Sequence, residues 1–136
     1  MKTENEVNLT NTNKKLSLLI NNNLVEVDQG STIIQAAKKA GIHISALCFH
    51  EKVKPHGACR LCLVEIEKKG RSRIVASCAY PVEDGLVVNT ESIKVETIRK
   101  HLVELYMAMF PFNPEIKALS KMFFLNKQNV VHHIVT

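Results

Sequence analysis

Tryptophan is absent from this chain of 136 residues, and no apolar run approaches the roughly 18 residues needed to cross a bilayer. Met1 to Lys15 has no apolar stretch of the kind that drives secretion, so a cytoplasmic location is expected. There is no phosphate-binding glycine loop, no dinucleotide fingerprint and no pair of carboxylates beside a histidine. The chain carries a formal charge of +5, yet neither an aromatic-rich platform nor a helix-turn-helix pattern accompanies that charge. This argues against nucleic acid as a partner. Cysteine is missing before residue 48 and after residue 78.

What is there lies between those two positions. Cys48, Cys59, Cys62 and Cys78 follow the spacing C-x10-C-x2-C-x15-C. In a reducing compartment, clustered thiols point to metal binding rather than disulfides. Four thiolates can surround a tetrahedral zinc ion or the two irons of a [2Fe-2S] cluster. Zinc ribbons usually bring their ligands as two close pairs, and here only Cys59 and Cys62 form such a pair. Spacing alone leaves the cluster, structural zinc and unligated thiols all open. A Rieske centre would need a second Cys/His set, but Cys59 is followed by Cys62 rather than by a histidine. His50 and His56 are read as exposed loop residues or as neighbouring donors.

Around the cysteines the charge is cationic. Lys52, Lys54, Arg60, Lys68, Lys69, Arg71 and Arg73 face only Glu51, Glu65 and Glu67. A solvated hairpin accounts for this without any partner. The alternative use is electrostatic, offsetting a doubly negative cluster that becomes triply negative on reduction, or steering an acidic partner.

Along the chain, residues 1–13 are polar and aperiodic, which predicts a disordered leader. Residues 15–20 and 24–28 alternate about Asn21-Asn22-Asn23, a hairpin signal. Ser31 or Thr32 caps a helix with Ile33, Ile34, Ala37 and Ala40 on its apolar face, ended by Gly41. Residues 42–58 form a long loop bearing Cys48, broken by Pro55 and Gly57. Strands follow at 61–67 and 73–78, the second carrying Cys78 at its end, and a short strand at 86–89. From Thr90 or Ser92 the period becomes helical, with Val95, Ile98, Leu102, Leu105 or Tyr106, and Met109 as the apolar face, as far as about Phe110. Pro111 and Pro114 end that helix. A short second helix is expected at 115–124, and residues 130–135 are apolar but too short to classify.

The order is that of an α+β, β-grasp ferredoxin-like domain over 14–90 with a C-terminal helical tail over 91–136. Two uses are open to the tail: capping its own core or docking on another subunit, with the balance toward docking. Gly57 and Ala58 leave the backbone free to approach inorganic sulfide, and with Arg60 they are assigned to the shell around it.

Gly57-Ala58-Cys59-Arg60-Leu61-Cys62-Leu63-Val64-Glu65-Ile66, then Ser77-Cys78 and residues 81–88, resemble the N-terminal [2Fe-2S] domain of the large peripheral subunit of respiratory NADH dehydrogenase. The same domain opens many iron-only hydrogenases, NAD-linked formate dehydrogenases and the diaphorase part of bidirectional hydrogenases. Residues 46–50 are similar to the segment around that family's first cysteine. The resemblance implies a [2Fe-2S] cluster ligated by Cys48, Cys59, Cys62 and Cys78. It implies one-electron transfer as a subunit of a multi-subunit NAD(P)H-, hydrogen- or formate-linked oxidoreductase, with no activity expected of the chain alone. The partner it implies is a flavoprotein, NAD-binding or other iron-sulfur subunit, in the cytoplasm or at the periphery of a membrane complex.

One departure bears on the cofactor. In the family the following helix leads into a His-Pro-Leu-Asp-Cys-Pro segment that begins a [4Fe-4S] site with one histidine and three cysteine ligands. Here that place holds Phe110-Pro111-Phe112-Asn113-Pro114, with neither the histidine nor the cysteine. A truncated, one-cluster version with no [4Fe-4S] cluster is therefore expected. The readings from other classes are a redox- or metal-responsive binding module and a structural four-cysteine zinc module.

Overall fold

The computed structural model describes residues 14–47, 52 and 58–131, with side chains through residue 123. Cys48, His50, His56 and Gly57, and the expected leader over 1–13, lie outside the described residues.

Alternation in Lys15–Ile20 (β1) and Asn23–Asp28 (β2) pairs the two strands antiparallel, with Leu16 opposite Val27 and Leu18 opposite Val25. The turn needs only Asn21 and Asn22, at φ +50° and +67°. A two-residue loop with both positions left-handed matches the right-handed twist of the strands. Asn23 therefore belongs to β2 rather than to the turn.

Ile33–Lys39 (α1) follows directly, and the Thr32 N–H donates to Gln35 Oε1 at 2.9 Å to begin it. Its C-terminus closes with Gly41 at φ +74°, where Gly41 N donates to Lys38 O and Ile42 N to Ala37 O. That pair of bonds is the usual reason for glycine just past a helix. Ile33, Ile34, Ala36 and Ala37 are buried against one face of the sheet.

Leu63–Lys68 (β3) and Arg71–Ala76 (β4) form a second hairpin about Lys69 and Gly70, and Leu86–Asn89 (β5) completes the sheet. The strand order is β2-β1-β5-β3-β4, with β1 and β5 parallel at the centre and the other neighbours antiparallel. This is the α+β, β-grasp ferredoxin-like fold. Leu18, Ile20, Val64, Ile66 and Val88 fill its core with Ile33.

Ile93–Met109 (α2) leaves β5 almost at once. Asn21 ties that exit down: its Nδ2 donates to Thr90 Oγ1 at 2.7 Å, and its Oδ1 accepts from Thr90 N at 2.9 Å. Ser92 caps the helix by accepting from Val95 N. The buried face of α2 is Val95, Arg99 and Val103; it shares Val95 with the expected stripe and then runs one residue beyond Ile98 and Leu102, with Leu102 and Tyr106 partly buried beside it. Leu105 and Met109 are 54 % and 57 % exposed, because α2 meets the start of β3 and the cysteine segment before it, not the centre of the sheet.

Pro114–Val131 (α3) is longer than the expected 115–124, and Pro114 opens it instead of ending its predecessor. Proline at a first helical position forgoes an N–H that would have no partner there. Asn113 Oδ1 accepts from Glu115 N and Ile116 N at 2.9 and 3.2 Å, an N-cap. Val130 and Val131 belong to this helix, and residues 132–136 lie outside the described residues. Ile116 is buried, and Leu119 and Phe123 pack toward Leu61 and Val103, so the front half of α3 lies on its own domain.

Ile20, fully buried in this core, sets a test of the fold. Ile20→Ala should lower unfolding free energy by about 2–5 kcal/mol, whereas exposed Leu24→Ala should change it by less than about 0.5 kcal/mol. Anaerobic urea unfolding followed by far-UV circular dichroism measures both, and equal midpoints for the two variants would contradict this packing.

Candidate [2Fe-2S] centre

The segment that enters β3 carries two thiols in one tight reversal. Arg60, between them, adopts φ +60°. For a side-chain-bearing residue that conformation costs roughly 1–2 kcal/mol, so neighbouring contacts must hold it. Three carbonyls of the segment are held from α2. Tyr106 Oη donates to Cys59 O at 2.9 Å, Arg99 Nε to Leu61 O at 3.1 Å and Arg99 Nη2 to Leu63 O at 2.8 Å.

From the other side the Cys62 carbonyl accepts from Ser77 N at 3.1 Å and from Ser77 Oγ at 2.6 Å. This places Cys62 and Cys78 at one end of the sheet. β4 stops at Ala76, so Cys78 sits in the turn after the strand, not in its last position. Sheet and helix still hold that turn, since Ala79 N and Tyr80 N donate to Ala76 O and Ile34 N donates to Ser77 O.

Cys59, Cys62 and Cys78 are buried and are thiols rather than half-cystines. The Leu47 N–H donates to Cys59 Sγ at 3.4 Å, so the chain leading to Cys48 arrives beside Cys59. An N–H directed at sulfur suits a thiolate, whose negative charge it stabilises. Among the described residues no three His, Cys, Asp or Glu side chains close around a single ion. A [2Fe-2S] cluster asks for two ligands on each of two irons, not three donors on one. Buried thiols with soft sulfur donors, one already facing a backbone N–H, fit such a cluster. Ala58 and Arg60 are exposed at the outer side of the turn.

Residues 13–92 match the 2Fe-2S iron-sulfur cluster binding domain. The chain belongs to this family. Within it, the domain is 41 % identical over 99 residues to the mitochondrial NADH-ubiquinone oxidoreductase 78 kDa subunit of Neurospora crassa, covering 73 % of this chain and 13 % of that protein. It is 42 % identical over 98 residues to the NADPH-Fe(3+) oxidoreductase subunit alpha of Geobacter sulfurreducens, covering 72 % of this chain and 11 % of that one. The chain thus spans only a small part of the length of the curated relatives it matches. Among solved structures, an NAD+-reducing [NiFe]-hydrogenase in its H2-reduced state superposes with a TM-score of 0.61 at 36 % identity, covering 68 % of this chain and 38 % of that one. The resemblance read from residues 57–66 and 77–88 is the relationship these comparisons find.

Arg99 and Tyr106 were not anticipated as parts of the site. Arg99 has a visible signal, a cation at the middle of the Val95-Arg99-Val103 stripe, where four-residue steps place it on a buried face. Burial pushes its guanidinium below the usual arginine range, while Glu96, Cys62 and Glu91 act in the opposite sense. Tyr106 lies within the expected apolar face of α2, but nothing in the sequence says that its hydroxyl reaches Cys59.

Ser77 offers the test of this geometry. Ser77→Ala leaves the N–H bond to Cys62 O and removes the hydroxyl bond, for an expected loss of about 0.5–1.5 kcal/mol. Thermal unfolding monitored by circular dichroism reads that loss, and an unchanged midpoint would show that the hydroxyl bond contributes nothing.

Proposed function

We propose that this chain is a one-electron carrier that holds a single [2Fe-2S] cluster on Cys48, Cys59, Cys62 and Cys78. The observation that carries the reading is the burial of three thiols in and beside the turn-and-strand segment of a 2Fe-2S family domain. Cys48 enters through the family pattern and its spacing, since it lies outside the described residues. When bound, such a cluster supplies exchange of one electron at a time, at potentials near about −400 mV for plant-type four-cysteine clusters.

The chain's own residues do the rest. Tyr106, Arg99 and Ser77 fix the carbonyls around the ligand turn, so the thiolates keep their places when charge arrives. Leu61 and Val103, both fully buried, exclude water on the α2 side. Arg60 and Ala58 are exposed on the same turn, and this reading assigns them, with Gly57, to the shell around the sulfides. The cluster-binding domain is 14–90, and 91–136 is a helical tail whose exposed Phe110, Phe112 and Met122 leave apolar surface for another subunit.

The names of the relatives, subunits of NADH and NADPH oxidoreductases and an NAD+-reducing hydrogenase, support a place in a multi-subunit oxidoreductase linked to NAD(P)H or hydrogen, and the proposal extends to formate on the sequence resemblance alone. The partner is then a flavoprotein, an NAD-binding subunit or another iron-sulfur subunit. No cysteine occurs from residue 79 to 136, which supports one cluster in this chain and no [4Fe-4S] site. No helix among the described residues is long and apolar enough to cross a membrane. The location proposed with this function is the cytoplasm, free or at the edge of a membrane complex.

Anaerobically purified chain should contain about two irons and two sulfides, and give a spin-one-half signal after dithionite reduction. Cys59→Ser should abolish or strongly perturb that signal. Zinc without sulfide, in protein made under iron-replete conditions, would overturn the carrier reading.

A further inference from the structure

Arg99 is the only charged side chain in the buried set among the described residues, at 9 % exposure. Its guanidinium forks over the entry to β3, with Nε on Leu61 O and Nη2 on Leu63 O, the two carbonyls that flank Cys62. Nη1 meets Glu96 Oε1 at 3.3 Å, but that carboxylate is itself partly exposed, so water screens its charge. Burying a full cation is costly unless a negative charge faces it. Glu96, 36 % exposed, meets the guanidinium on one side, and the carbonyls flanking Cys62 meet it on the other. Glu96 first, then Cys62 and Glu91, act on Arg99 in the sense that favours the charged guanidinium, against its burial. Arginine keeps its proton even when burial opposes it.

We propose that Arg99 is a positioning residue for the cluster whose buried positive charge favours the reduced state, with Glu96 damping that effect. This rests on the ligand assignment proposed above. The physics is the charge change: a cluster gaining one electron becomes more negative, and a fixed cation in a medium poorer than water in dielectric screening stabilises the product more than the starting state. The exposed cations Lys68, Lys69, Arg71 and Arg73 on the β3–β4 hairpin lie in solvent, where salt screens them. Among the described residues Arg99 is the cation placed to act at low dielectric.

The test is an anaerobic redox titration of the full chain, with dithionite as reductant and mediator dyes, followed by electron paramagnetic resonance. Wild type is compared with Arg99→Met, Arg99→Lys and Glu96→Gln. Arg99→Met should lower the equilibrium constant for reduction about tenfold, or about 59 mV for one electron. Arg99→Lys, which keeps charge but loses the fork, should stay within about threefold of wild type on the same scale. Glu96→Gln removes the damping charge and should move the potential the other way, to more positive values. Opposite signs for Arg99→Met and Glu96→Gln are what a merely structural role would not produce.

Should Arg99→Met fail to hold iron, the other two variants decide the matter. The inference is overturned if Glu96→Gln leaves the potential unmoved or lowers it, or if Arg99→Lys falls as far as Arg99→Met. A wild-type chain without iron and sulfide would overturn the ligand assignment and this inference together. A normal cluster whose potential ignores these substitutions overturns only the role of Arg99.

Discussion

Three residue pairs, Leu18 with Leu86, Leu19 with Val87 and Ile20 with Val88, join the two halves of this chain in parallel register. On one side of that seam stand the first hairpin and α1; on the other stand β3 and β4, with the turns that carry Cys59, Cys62 and Cys78. Parallel strands cannot be joined by a tight turn, so long connections are unavoidable. Here the stretch between β1 and β5 contains every cysteine. The seam is reinforced where β5 begins and ends: Gly85 N donates to Ser17 O, Asp84 accepts from Ser17 N, and Asn21 bonds Thr90 twice. Those last bonds also aim α2, and the aim of α2 decides where Arg99 and Tyr106 fall.

The site is therefore held by carbonyls rather than by its thiols. Cys59, Leu61, Cys62 and Leu63 each give their carbonyl to a donor from α2 or from the Ser77 turn. The bonds to Leu61 O and Cys62 O satisfy buried polar groups that would otherwise be stranded where water is excluded. Of the sulfurs, Cys59 Sγ accepts from the Leu47 N–H. A scaffold of this kind can keep buried thiols in place, as the proposed cluster would require.

Two kinds of positive charge surround the same segment and act at different ranges. The hairpin cations are exposed, and Lys68 already pairs with Glu83 at the surface. Their field falls off within about 8 Å at physiological salt, so it reaches only groups at the surface. Arg99 is enclosed, and it spans the carbonyls on either side of Cys62.

Much of this was legible before any fold was known. Alternation in 15–20 and 24–28, the asparagine turn, Gly41 after α1 and the Lys69-Gly70 reversal are local signals, and local sterics enforce them. The cysteine spacing with its flanking residues sufficed for the family. The end of β4 at Ala76 and the face of α2 were not legible, since both depend on what packs against them. Leu105 and Met109 look as apolar as Val95 and Val103, and only the aim set by Asn21 and Thr90 separates them. By itself, then, the sequence determined most of the elements and the kinship, because turn sterics and a spaced cysteine pattern belong to individual residues. Tertiary structure alone decided that a cation 37 residues beyond Cys62 should lie buried beside it, because burial belongs to the assembly and not to the residue.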